Sequence, residues 1–174
     1  MHRLLLLVLG VWLCLPFAAS GRAQTPNTPH QHASAAPIVD GATHPELIPD
    51  SVAYRLYFEV ISIGANATDE DRKRQRAFTG VIGLEAEDVN ILIGILNTFR
   101  VRHDALVAEY NLSAQAAADR NEVPDTAAFV QRLDELVQST RSALKAQMSP
   151  RGMIQFDAFV RSEKKRMKVQ GGEW

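Results

Sequence analysis

From Glu85 to Leu112 the apolar residues Val89, Leu92, Ile93, Leu96, Phe99, Leu106, Val107 and Tyr110 recur mostly at steps of three and four. That spacing places them on one side of an α-helix. At 1.5 Å per residue such a helix is roughly 40 Å long. Glu85, Glu87 and Asp88 open it, with the sign that the positive end of the helix dipole favours. His103 falls on the same stripe. Gly94 in its interior costs up to about 1 kcal/mol relative to Ala unless close packing offsets it.

The rest of the chain is punctuated in the same helical idiom. Pro49-Asp50 suits a helix entry, and Val52, Ala53, Leu56, Tyr57, Val60 and Ile61 follow at helical spacing. Leu56 to Ile63 is also rich in β-branched and aromatic residues, so a strand is the local alternative. Helix is preferred because no second strand partner is visible. Thr68 is a good N-cap ahead of Asp69, Glu70 and Asp71, and that helix is expected to finish near Thr79-Gly80, with Gly80 and Gly83 as a joint. Residues 113–121 either continue the long helix or fray. Asp125 caps a helix carrying Phe129, Val130, Leu133, Leu136, Val137, Leu144 and Met148. Ser149 and Pro150, as N-cap and first helical residue, open a last helix expected to bury Ile154, Phe156, Phe159, Val160 and Met167. Five helices with short connections predict an all-α, single-domain helical bundle over residues 44–170.

Two segments precede that domain. Met1-His2-Arg3 is followed by the apolar run Leu4–Leu15, then Pro16 and small residues to Ala23. This is the order of a secretory signal peptide, and the run is shorter than the roughly 20 residues a spanning helix needs. Cleavage is placed after Ala23, with Ser20 as the alternative. Residues 24–43, interrupted by Pro26, Pro29 and Pro37, read as a disordered tether. Removal of 1–23 takes Arg3 and Arg22 from 19 basic residues, leaving 17 against 20 acidic and a net charge of −3. It also takes Cys14, the only cysteine. The exported chain then has no disulfide and must hold by packing alone. The expected compartment is periplasmic or extracellular, in a bacterium. No transmembrane span is expected in the mature chain, and so balanced a charge gives no field that would draw it onto nucleic acid.

Searching for chemistry returns little. His30 and His32 form a His-x-His pair in the tether without the further ligands a structural metal site wants. No His-Glu-x-x-His, Gly-x-Ser-x-Gly, phosphate loop or dinucleotide fingerprint occurs. Ser142-Ala143-Leu144-Lys145 matches Ser-x-x-Lys but lacks its companion motifs. The carboxylates at 69–71 and 85–88 sit where helix dipoles account for them. No metal, cofactor or catalytic residue is implied. The candidate interaction surface is a basic stripe: at 100° per residue Arg161, Lys164, Lys165 and Lys168 share one face of the last helix, suited to an acidic protein partner or an anionic envelope surface.

His44-Pro45-Glu46-Leu47-Ile48-Pro49-Asp50-Ser51-Val52-Ala53-Tyr54 and Met148-Ser149-Pro150-Arg151-Gly152, with Phe156-Asp157-Ala158-Phe159-Val160 and Glu163-Lys164-Lys165-Arg166-Met167, resemble small exported helical bacterial proteins of unknown function. That resemblance implies no activity. Leu112-Ser113-Ala114-Gln115 is more distantly similar to the Leu-Thr-x-x-Gln motif of the Spy and CpxP type of periplasmic chaperone, without its full spacing, and the segment at Met148 lacks the Gln. The expected function is a non-catalytic exported binding module, chaperone-like by that analogy. The alternatives are an envelope subunit that oligomerises through its helices, and an enzyme centred on His103.

Overall fold

A computed structural model describes residues 37–170; the expected signal peptide and most of the expected tether lie outside the described residues. The described chain is all-α apart from one short ladder. It contains α1 (Asp50–Ile61), α2 (Asp69–Ile82), α3 (Ala86–Asp119), α4 (Thr126–Gln147) and α5 (Pro150–Glu163). Strands β1 (Ile38–Asp40) and β2 (Lys168–Gln170) pair antiparallel, with Val39 opposite Val169. No described helix is long and apolar enough to cross a membrane.

Most helix starts follow local chemistry. The Thr68 hydroxyl accepts from the Asp71 N–H at 3.2 Å, and the Asp71 carboxylate accepts from the Thr68 N–H at 2.9 Å, a closed capping box. The Asp125 carboxylate accepts from the Ala128 N–H at 2.9 Å. The helix alternative holds at residues 50–61, where α1 turns Val52, Ala53, Tyr54, Tyr57, Phe58 and Ile61 inward. Its buried face differs from expectation: Val60 is 52% exposed and the rings of Tyr54 and Phe58 fill the interior instead. Helix α2 runs through Gly80, the expected stop, to Ile82. Helix α3 continues through the ambiguous 113–119 stretch and is about 51 Å long.

One continuous core joins all five helices. Phe58 sits at its centre, 5.2 Å from the Phe99 ring and stacked on Phe156 at 6.4 Å. Tyr57 meets Phe159 edge-on at 5.0 Å. Offset and edge-on aromatic pairs each contribute roughly 0.5–1.5 kcal/mol beyond the area they bury. The aliphatic floor is Leu92 and Leu96 of α3 with Val137 and Leu144 of α4. Ile154, expected inside, is 68% exposed.

Asp88 does more than complement a dipole. It is 3% exposed and accepts from both the N–H (2.7 Å) and the hydroxyl (2.6 Å) of Ser149. The Ser149 oxygen in turn accepts from the Gly152 N–H at 3.0 Å, capping α5. A Cβ on Gly152 would collide with the Asp88 carboxylate, so glycine is required there for close approach.

Both ends of the domain differ from the sequence reading. The folded part does not start at residue 44: Ile38–Asp40 belongs to it, with Val39 packed on the core beside buried Val169. Nor does α5 carry the basic stripe to the end. It stops at Glu163, a 3-10 turn covers Lys164–Arg166, and Lys168 lies in β2. The Gly41 N–H donates to the Met167 carbonyl at 2.8 Å, and Gly41 lies so close to the Lys164 carbonyl that any side chain would clash. Continuing the helix would forfeit these contacts.

Candidate functional site

The four cations of the expected stripe are separated by the turn after α5. Lys164 is drawn back onto the domain: its Nζ is 2.6 Å from Asp50 Oδ1 and donates to the Ile48 carbonyl at 2.7 Å. Lys168 meets Asp40 at 3.1 Å. Arg161 and Lys165 are exposed, and Lys165 has no ion pair among the described residues. Two of the four therefore hold the fold together. The Lys164 contact lowers the Asp50 pKa below the ordinary carboxylate range.

Next to that pair is a second polar cluster. The Tyr54 hydroxyl donates to the Asp157 carboxylate, and the Arg141 guanidinium lies 3.9 Å above the Tyr54 ring. Burial, and then the bond to Asp157, raise the Tyr54 pKa far above its ordinary value. The phenol stays a proton donor throughout the physiological range. Cation and ring attract through the ring quadrupole, so the cluster latches α1, α4 and α5 together.

His103 bridges α1 and α3. Its Nε2 is 3.2 Å from Glu59 Oε1 and its Nδ1 is 3.4 Å from Asp104 Oδ1, and the ring lies 5.6 Å from that of Phe99. The bond to Glu59 raises its pKa, against the opposing effect of burial. Among the described residues no group of three or more His, Cys, Asp or Glu side chains converges as a metal site would require.

Above His103 the architecture changes. The continuous core takes in Leu106 of α3 at its margin and begins at Leu136 on α4. Beyond them, α3 from 107 to 119 and α4 from 126 to 135 pair chiefly with each other. Arg132 grips Glu109 with both guanidinium nitrogens at 2.6 and 2.7 Å. Tyr110 stacks on Phe129 at 4.3 Å, with its hydroxyl 3.1 Å from that of Thr126. Leu133 and Ala117 are buried here but stand apart from the continuous core. The result is a two-helix arm about 20 Å long. Two helices cannot enclose their own seam: Val107, Tyr110, Phe129 and Val130 are only half-buried. Leu112 is 74% and Val123 91% exposed toward the tip.

Two open grooves follow α4. One, of about 600 Å³, runs along its seam with α3 and is floored by Ile91, Gly94, Ile95 and Ala143. The other, of about 770 Å³, lies on the arm against Ala127, Val130, Asp134, Glu135 and Gln138. Neither is lined by His103. The arm could be anticipated in part from the sequence, since the long apolar stripe exceeds the length of its partner helices. Where the core stops along it had no local signal.

Compared with protein-family models, curated proteins and solved structures, the chain matches none.

Proposed function

We propose that the protein is a non-catalytic, exported interaction module that holds apolar segments of other chains along its α3–α4 arm, in the manner of a chaperone. The observation that carries this reading is the half-covered seam of Val107, Tyr110, Phe129 and Val130, with Val123 exposed at the tip. Exposed apolar surface on a projecting element is what a weak, sequence-tolerant contact with an unfolding chain needs. Across the seam Arg132 and Glu109 neutralise each other, so the surface the seam itself offers a client is mainly apolar. Export rests on the signal-peptide order of residues 1–23, and the exported chain is expected to begin at Gln24 on N-terminal sequencing.

The test is suppression of aggregation of an unfolding client by the exported chain. Near-stoichiometric suppression is expected, reduced at least several-fold by Val107→Asp with Val123→Asp. Val107 is half-buried and Val123 exposed, and circular dichroism checks that the variant keeps its fold. Undiminished suppression by that variant removes the arm from the reading, and no suppression by the native chain removes the chaperone reading itself.

A further inference from the structure

Helix α2 turns Gln75, Thr79 and Ile82 inward. At 100° per residue its opposite face is Glu70, Lys73, Ala77 and Val81, with Arg74 at the edge. Val81 is 71% exposed. Lys73 has no ion pair among the described residues, and Arg74 has only a long contact of 3.8 Å to Asp71. This is an apolar strip with cations toward its N-terminal end. The arm groove on α4 has the reverse composition: Ala127 and Val130 come first, then Asp134 and Glu135, then Gln138. Asp134 is half-buried, yet no cation or hydrogen-bond donor meets it among the described residues.

The two faces match in register as well as charge. Lys73 precedes Val81 by about 12 Å along α2, and Ala127 precedes Asp134 by about 10.5 Å along α4. Laid antiparallel, Lys73 and Arg74 reach Glu135 and Asp134 while Val81 meets Ala127 and Val130. Glu70 then falls opposite neutral Gln138, so no carboxylate faces another. Because the inward side of α2 packs on its own domain, the outward face cannot fold back onto that domain.

We propose that a second copy of this chain docks its α2 face, Lys73, Arg74, Ala77 and Val81, onto the α4 groove at Ala127, Val130, Asp134 and Glu135. The two faces differ, so the contact builds either a reciprocal two-fold dimer or a head-to-tail chain. It goes beyond the client-holding reading: a chain that suppresses aggregation while remaining monomeric keeps that function and loses this contact.

Light scattering on the exported chain tests it. A mass of at least twice the monomer is expected at about 100 µM in low salt, falling toward the monomer as salt screens the pairs. Lys73→Glu with Arg74→Glu, and separately Asp134→Lys with Glu135→Lys, are each expected to run as folded monomers by circular dichroism. Mixed one to one, they retain one intact and one doubly reversed contact, and the mixture is expected to restore a dimer. If a charge variant misfolds, Val81→Asp replaces it, since that side chain is already in solvent. A native chain that stays monomeric throughout overturns the proposal. So does a native oligomer whose mass is unchanged by every one of these folded variants.

Discussion

The same two helices, α3 and α4, are held by different means at their two ends. At the base, Leu92, Leu96 and Phe99 of α3 and Val137 and Leu144 of α4 are roofed by α1 and α5, with the Phe58 ring between Phe99 and Phe156. In the arm, the helices have chiefly each other: one stacked pair, one bidentate ion pair and two buried side chains outside the core. Helical stability in proteins comes mainly from packing an amphipathic face rather than from propensity. The base therefore supplies the free energy of folding, and the arm is carried as an extension of helices nucleated below. Surface left uncovered at low local stability is where a binding element is expected.

The largest expected effect tests that division directly. Phe58→Ala should destabilise the protein by about 4 kcal/mol, because it removes a fully buried ring from the junction of three helices. Tyr110→Ala should cost about 1 kcal/mol, the order of one aromatic pair. Denaturant unfolding followed by circular dichroism measures both. Equal losses would mean the arm is part of the cooperative core, and the comparison fails.

Asp88→Ala comes next, with an expected loss of about 2–3 kcal/mol from two charge-assisted hydrogen bonds to a buried carboxylate. Gly152→Ala should approach the same loss, since the new methyl group meets that carboxylate. In the double variant the clash disappears with the carboxylate, so the two losses should fall well short of adding. Additive losses would show that the two residues act separately.

These residues also mark what could be read from the sequence. Helix starts at Thr68, Asp125 and Ser149-Pro150 were legible because each cap is completed within three residues. The partner of Asp88 lies 61 residues away, so its carboxylate was indistinguishable from an ordinary first-turn acid. Likewise β1 and β2 are three residues each, too short for an alternating pattern, and they define each other only across the whole domain. The single helical face expected for the basic stripe is broken for the same reason. Helical phase carried through Lys164 to Lys168 misses the turn there, where no Gly or Pro warns of it, and long-range contacts at Gly41 and Asp50 decide the backbone. By contrast, the α3 stripe was visible but its two roles were not, since half-buried and fully buried leucines look alike in a sequence.

The smallest expected effect lies at the boundary between the two regions. His103 carries a raised pKa chiefly because Glu59 accepts its hydrogen bond, with Asp104 adding to the same direction. Arg55 stands 4.0 Å from Glu59, and Arg100 pairs with Asp104 at 2.9 Å, so both carboxylates are shared with other cations and the histidine's share is modest. A raised folded pKa means that protonated His103 stabilises the folded state below its unfolded value of about 6.5, and that this stabilisation is lost as pH rises through the folded value. Stability should therefore decline slightly as pH rises above about 6.5. Hydrogen exchange, corrected for its intrinsic pH dependence, should show the arm amides beyond residue 103 losing more protection than those of α5. His103→Gln should flatten the slope, and Glu59→Gln should flatten it too while leaving the imidazole in place. A slope that survives both substitutions would assign the pH response to other groups. Equal loss of protection in the arm and in α5 would show instead that the bridge stabilises the domain as a whole, and that His103 is not where the behaviour of the two regions divides.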